Sequence, residues 1–235
     1  MSSVISQVRL SLSQQAESGT LESTKRFFRE QVLSYGCKTA IVSSIAKEYY
    51  KAVMELPKNQ IFELCEDLWQ SRYLEEAFIA CNWAEFVHKQ YTSDDIEVFE
   101  RWVNNYVTNW ATCDTLCNHA VGIFIKMHST HIERLKIWAA SPNRWVRRAS
   151  AVTLIIPARK GLFLPDIFKI ANQLLHDKDD MVQKGYGWML KAASEAHQQE
   201  VFAFVMNHKA TMPRTALRYA IEKMPQDLKK LAMAR

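Results

Sequence analysis

The sequence predicts an all-α fold, a curved α-solenoid of HEAT-like two-helix repeats (an α-α superhelix) forming a single domain over residues 1–235 with a concave basic groove. Three observations lead there. Apolar residues recur at three- and four-residue spacing in nearly every segment, and no segment alternates with the two-residue period of a strand. The chain has only six Gly and six Pro, too few for long irregular connections. Polar residues in similar contexts recur at intervals in the mid-thirties, the length of a two-helix repeat unit.

Taken in order, the opening MSSVISQVRLSLSQQAESG has no apolar core of the kind a secretory signal needs. Gly36 and Pro57 punctuate the next stretch. In IFELCEDLW, Ile61, Leu64, Cys65 and Leu68 form one stripe, as a helix buried on one side requires. The cluster Thr92-Ser93-Asp94 breaks the pattern, and Thr92-Ser93 supplies the oxygens of a helix start. The stretch NWATCDTLC, residues 109–117, lies inside a longer helical run. Its Trp110 and Asp114 are four apart and share a face. Ile132, Leu135 and Trp138 in HIERLKIWAA repeat the apolar stripe. Pro142, Pro157, Gly161, Pro165, Pro213 and Pro225 mark further breaks, and Asp179-Asp180 a further helix start.

Glu76, Asp114, Arg148 and Lys184 stand 38, 34 and 36 residues apart, each followed by a small residue: Ala77, Thr115, Ala149 and Gly185. In stacked helix pairs, equivalent positions form a ladder on one face, and this ladder reads Glu, Asp, Arg, Lys. One turn away, Asp114 has Trp110, Arg148 has Arg144 and Lys184 has Trp188. Cations with interleaved aromatic rings suit a phosphate backbone and the faces of sugars or bases. The stretch SPNRWVRRAS concentrates Arg144, Arg147 and Arg148, whose forks match phosphate bidentately. Trp69, Trp83, Trp102 and Trp138 sit in apolar stripes and are expected in the core, as is Trp145, which lies off the Arg144/Arg148 face. Trp110 and Trp188 share the polar face, and their pattern alone leaves packing and site roles open. The same holds for Asp114, which could be a buried hydrogen-bonding acid or a reactive one.

The net charge of +5 conceals an asymmetry. Residues 1–117 hold 11 Lys and Arg against 16 Asp and Glu, a net of −5, and residues 118–235 hold 19 against 9, a net of +10. A basic half points to a polyanionic partner. No apolar run approaches the roughly 18 residues of a membrane span. The five Cys are scattered, and Cys113 and Cys117, with three residues between them, fit neither a zinc knuckle nor a redox pair. His119 and His131 keep no ligand spacing. The expectation is reduced, packed thiols in a cytoplasmic protein with no metal and no cofactor.

The motifs WATCD (110–114), NRWVRRAS (143–150) and KGYGWMLK (184–191), in this order, resemble the AlkD-type DNA alkylation-repair glycosylases. KRFFRE (25–30) and EDLW (66–69) also stand where that family has similar segments, and the likeness runs from about residue 20 to 225. The resemblance implies a HEAT-like solenoid that binds duplex DNA in a concave basic groove and excises positively charged N3- and N7-alkylpurines. It implies that Trp110, Asp114 and Trp188 surround the deoxyribose of the lesion. It also implies that Arg148 holds the nearby backbone, and that the base is not inserted into a protein pocket. Phe27 stands where the family pattern has a Tyr, and Asn109 where some members have another Trp.

An N3- or N7-alkylpurine already carries a positive charge and departs neutral, so no acid need protonate it. Bond breaking builds oxocarbenium character on the sugar. A fixed carboxylate such as Asp114 would stabilise it, and two Trp faces would add about 0.5–2 kcal/mol each through cation–π attraction. Arg144, Arg147, Arg148 and Lys184 would grip phosphates. The expected partner is alkylated duplex DNA, engaged by a monomer without a membrane or an obligatory protein partner, at the nucleoid. Two alternatives remain at this level: a non-catalytic solenoid binding distorted or branched DNA, and a protein-interaction scaffold. The basic C-terminal half argues against the scaffold.

Overall fold

The computed structural model describes residues 2–234, and its regular elements are helical. They form two compact units, residues 1–116 and 117–235. The boundary coincides with the charge asymmetry, because Cys117 is neutral: the first unit carries the net −5 and the second the net +10.

The first unit contains α1 (Ser2–Gln14), α2 (Ser18–Phe27), α3 (Thr39–Tyr50), α4 (Lys58–Gln70), α5 (Leu74–Phe86), α6 (Asp95–Asn105) and α7 (Trp110–Leu116). The expected stripe of α4 is buried: Ile61, Leu64, Cys65 and Leu68 are all at most 2% exposed. Helix α5 packs against α3, α4 and α7, which explains why it has no polar side. Ile79, Ala80, Cys81, Trp83 and Ala84 are all buried. The Trp83 indole donates to the Ala46 carbonyl at 2.8 Å, and Trp102 donates to the Glu66 carboxylate at 2.6 Å. Burial tends to raise the Glu66 pKa, but bonds from Tyr106, Trp102 and Arg101 outweigh it and hold the carboxyl below its usual range.

The second unit contains α8 (Gly122–Met127), α9 (Ile132–Trp138), α10 (Arg144–Val152), α11 (Ile155–Arg159), α12 (Leu164–Gln173), α13 (Asp180–Ala193), α14 (Gln198–His208), α15 (Arg214–Ala220) and α16 (Gln226–Met233). Helices α9 and α10 pair, α12 and α13 pair, and α10, α13 and α15 stack in series. This is the arrangement of an all-α solenoid. The expected helix start at Asp179-Asp180 is present: the Asp179 carboxylate caps α13 by accepting from the Met181 and Val182 amides at 2.9 and 3.3 Å. Pro57, Pro213 and Pro225 directly precede α4, α15 and α16. Pro157, expected as a break, instead lies in the first turns of the short α11, where a missing N–H costs little.

The core expectations for tryptophan hold. Trp69, Trp83, Trp102 and Trp138 are at most 2% exposed and Trp145 is 7% exposed. No described helix is long and apolar enough to cross a membrane. All five thiols are free and buried.

Candidate nucleic-acid interface

In the first unit, Trp110 opens α7 and Asp114 follows one turn later, both half-buried. Asn109 prepares this turn. Its side chain accepts from the Thr112 amide at 3.0 Å, and Thr112 returns a hydroxyl bond to the Asn109 carbonyl at 3.2 Å. The helical run then passes through a π-turn at residues 117–121 before α8, a local irregularity common beside functional residues.

The Trp110 ring stacks on Phe28 (centroids 5.7 Å apart, 27° between planes) and meets Phe27 edge-on at 5.5 Å. These rings, with Phe78, Thr20, Thr24 and Lys38, line a cavity of 480 Å³. Phe27 is 67% exposed, so the position where the family pattern has a hydroxyl presents a bare ring to solvent.

The segment between α2 and α3 that frames this cavity is tied down by Glu75, which is 2% exposed. Its carboxylate accepts from the Ser34 hydroxyl at 2.7 Å and from the amides of Tyr35, Gly36 and Cys37 at 2.9–3.0 Å. Gly36 has φ of +88°, and a Cβ there would meet the Glu17 carbonyl at 2.8 Å, so this turn requires glycine. Burial and the Glu75 charge push the Cys37 thiol up to about 11.

Glu76 corrects the expected ladder. It is 1% exposed and accepts from Arg9 Nε at 3.0 Å and the Tyr35 hydroxyl at 2.7 Å. Burial and this carboxylate raise the Tyr35 pKa well above the phenol range. Glu76 therefore ties α1 and the α2–α3 segment to α5, and it faces no groove. The four residues of that spacing, Glu76, Asp114, Arg148 and Lys184, fall on four separate helices, α5, α7, α10 and α13.

In the second unit, Arg144, Arg147 and Arg148 lie on α10, and Lys184 and Trp188 on α13. Arg148 is 4% exposed and donates from Nη1 to the Met181 carbonyl. Its side chain lies along Gly185, where a Cβ would approach Arg148 Cγ at 3.3 Å. Arg147 is bidentate on Asp177 at 2.6 and 3.3 Å, and its Nη1 also donates to the Ser141 and Pro142 carbonyls. Arg144 pairs with Asp179 at 3.1 Å while its guanidinium sits 4.4 Å from the Trp145 ring centroid. Lys184 pairs with Asp180 at 3.0 Å. Trp188 is half-buried, on the same face of α13 as Lys184.

The second unit therefore brings together Arg144, Arg147, Arg148 and Lys184 with three aspartates of the 177–180 turn. Sequence reading did not anticipate that pairing. It also did not single out Lys126, Lys160, Lys169, Lys178 and Arg218. All five are exposed and have no acidic partner among the described residues. The one available signal was their contribution to the net +10. Among the described residues, no three His, Cys, Asp or Glu side chains are grouped to hold a metal.

A model of a family described as "DNA alkylation repair enzyme" matches residues 8–224. No match to a curated protein is found. Among solved structures, a protein described as a predicted DNA alkylation repair enzyme from Enterococcus faecalis is similar, with a TM-score of 0.81 at 17% identity over 90% of this chain and 98% of that one. At that identity the likeness speaks for the fold, and it agrees with the all-α solenoid built from the helices above. The family model spans far more than half of the sequence, including every motif described, and the chain belongs to the DNA alkylation repair enzyme family.

Proposed function

We propose that the protein is a DNA glycosylase that hydrolyses the N-glycosidic bond of positively charged N3- and N7-alkylpurines in duplex DNA. The observation that carries this reading is the Trp110–Asp114 pair: a carboxylate one helical turn from an indole whose ring is fixed by Phe27 and Phe28. A fixed carboxylate beside an aromatic face is suited to a developing sugar cation and needs no reorganisation as charge appears.

In the proposed reaction the C1′–N bond breaks, its electron pair neutralises the departing cationic base, and a water oxygen bonds to C1′. Asp114 stabilises the cation and orients the water, which releases its proton to the carboxylate or to solvent. Trp110 and Trp188 supply aromatic faces to the sugar. Arg148, Arg144 and Lys184 serve the DNA backbone, while Arg147 holds the 177–180 turn beside them through Asp177. Neutral lesions such as uracil would need leaving-group protonation, for which this residue set has no assigned acid, and so would be poor substrates. The protein would act as a monomer on nucleoid DNA in the cytoplasm.

The test is single-turnover release of methylated purines from dimethyl-sulfate-treated duplex DNA, with wild type beside Asp114→Asn. Fast wild-type release and a drop of about 10²-fold or more in the variant, about 2.7 kcal/mol of transition-state stabilisation, are expected. One observation favours a second reading. Phe27 places a hydrocarbon ring against Trp110 where the family pattern has a hydroxyl, which suits a non-catalytic binder of distorted DNA. Salt-dependent DNA binding with no base release by wild type would select that reading.

A further inference from the structure

The cavity beside Trp110, at 480 Å³, falls within the roughly 300–1,000 Å³ of small-molecule sites. Helix α2 gives the first sign that it has an occupant. No residue of α2 is buried: Thr20, Leu21 and Thr24 are half-buried and the others exposed. A helix of ten residues is marginal in water unless it packs an apolar face on the rest of the fold. The α2 residues that line the cavity are Gly19, Thr20, Ser23, Thr24 and Phe27. They share one helical face, and all but Phe27 are small or hydroxylated. Such a face packs a core poorly and offers hydrogen bonds to a polar edge.

The rest of the lining says what that occupant is. Phe28, Phe78 and Trp110 join Phe27 in it, and none of the four rings is buried. Aromatic surface gathered in one cavity suits a flat ring, which it meets by stacking or edge contact. The charged side chains of the lining are Glu17, Glu75 and Lys38, so carboxylates outnumber the ammonium group. Bonds from Lys38 and Thr20 hold Glu17 below the usual carboxylate range, which keeps it ionised. Aromatic faces attract cations as well. The cavity therefore disfavours an anion and favours a flat cation.

We propose that this cavity binds a planar heteroaromatic cation, the N-alkylated purine base itself, with its faces against the rings and its polar edge toward the α2 hydroxyls. Trp110 belongs both to the cavity and to the Trp110–Asp114 pair, so the base would sit beside the indole that stands one turn from the carboxylate. This departs from the route implied by the resemblance, which leaves the base outside any protein pocket. The occupant is either a base still joined to DNA or a free nucleoside. The first source rests on the glycosylase reading above, and the second does not.

The experiment follows hydrogen–deuterium exchange of the α2 amides in the full chain by mass spectrometry. 7-Methylguanosine is titrated at the mildly acidic pH where its ring is cationic, beside guanosine, its neutral counterpart. Two variants accompany wild type. Gly19→Phe fills the cavity, since nothing lies within 4 Å of a Cβ there. Phe27→Ala removes a ring that is 67% exposed and so costs the fold little. 7-Methylguanosine is expected to slow α2 exchange saturably, at a concentration about two- to thirtyfold lower than guanosine, the range set by one cation–π contact. Each variant should weaken that protection several-fold. No protection in wild type, equal protection by the two nucleosides, or protection undiminished in both variants overturns the proposal. Single-turnover release from dimethyl-sulfate-treated duplex DNA by wild type and Gly19→Phe then identifies the source. Release slowed in the variant assigns the base in DNA, and unchanged release with nucleoside protection lost assigns the free nucleoside. If wild type releases no base, the glycosylase reading fails while the α2 readout still decides this proposal.

Discussion

Gly187→Ala tests how much of the KGYGWMLK motif is packing. In an open helix interior this change stabilises by about 1 kcal/mol, because alanine is the better helix former. Here the new Cβ would sit 2.7 Å from Tyr219 Cβ, 2.8 Å from the Ala216 carbonyl oxygen and 3.1 Å from Ala216 Cα. Comfortable carbon contacts are about 3.5–4.0 Å, so the overlap approaches an ångström. Two of the three atoms are α15 backbone, which cannot rotate away. Overpacking of this kind costs about 1–3 kcal/mol, and the upper end applies when backbone must move. The net expectation is a loss of about 1–2 kcal/mol, a fall of roughly 2–8 °C in melting temperature for a chain of this size. Gly19→Ala, in α2, is the control: nothing lies within 4 Å of its Cβ, and the same substitution should leave stability equal or slightly raised. Thermal unfolding followed by circular dichroism reads both. If Gly187→Ala melts at or above wild type, the close α13–α15 approach is not what requires this glycine, and the argument is wrong.

Three further substitutions test the hydrogen bonds and charges described above. Glu75→Gln keeps one oxygen for Ser34, Gly36 and Cys37 but turns an NH₂ toward the Tyr35 amide. It should cost about 2–4 kcal/mol by denaturant unfolding and speed Cys37 labelling by a thiol reagent, and unchanged stability would show the network to be incidental. Arg147→Ala should lower stability by about 1–3 kcal/mol with little change in the salt dependence of DNA binding, because its donors are taken up by Asp177 and two carbonyls. Lys178→Ala should do the reverse, removing about 0.9 from the salt slope at constant stability, and the opposite pattern would reverse the assignment of these two cations.

The helical fold was legible because its determinants are local. The stripe at Ile61, Leu64, Cys65 and Leu68 and the cap at Asp179 each lie within one turn of what they specify. The spacing of Glu76, Asp114, Arg148 and Lys184 also placed them on four separate helices, α5, α7, α10 and α13. What it did not reveal is the job of each residue at the repeated position. Glu76 reads as one more polar residue on a helix, and only the arrival of Arg9 and Tyr35, 67 and 41 residues away, makes it a buried tie. The aromatic setting of Trp110 was hidden for the same reason. Phe27 and Phe28 lie more than 80 residues earlier, and sequence spacing says nothing about such a contact. The glycines of KGYGW looked like part of a functional motif, but Gly187 is explained by the approach of α15 and Gly185 by the side chain of Arg148.

The charges of the second unit lead to one further step. The motif NRWVRRAS marks its cations as the obvious phosphate contacts, yet Arg144, Arg147 and Lys184 already pair with Asp179, Asp177 and Asp180. These partners are not equivalent. Arg147 holds a bidentate, largely sheltered pair at 20% and 8% side-chain exposure, whereas Arg144 and Lys184 are 38% and 28% exposed in their pairs. A partly exposed pair contributes about 0–1 kcal/mol, little enough for a phosphate oxygen to replace the carboxylate, and a sheltered bidentate pair resists exchange. On the proposed DNA-binding reading, Arg144 and Lys184 would swing from aspartate to phosphate while Arg147 keeps the 177–180 turn on α10. Because such an exchange frees a carboxylate as it engages a phosphate, it adds specificity of position more than net affinity. On the same reading, the bulk of the salt-dependent attraction would fall to cations with no acid beside them among the described residues, such as Lys126, Lys160, Lys169, Lys178 and Arg218, which no motif marks and which only the surplus of ten positive charges foretold.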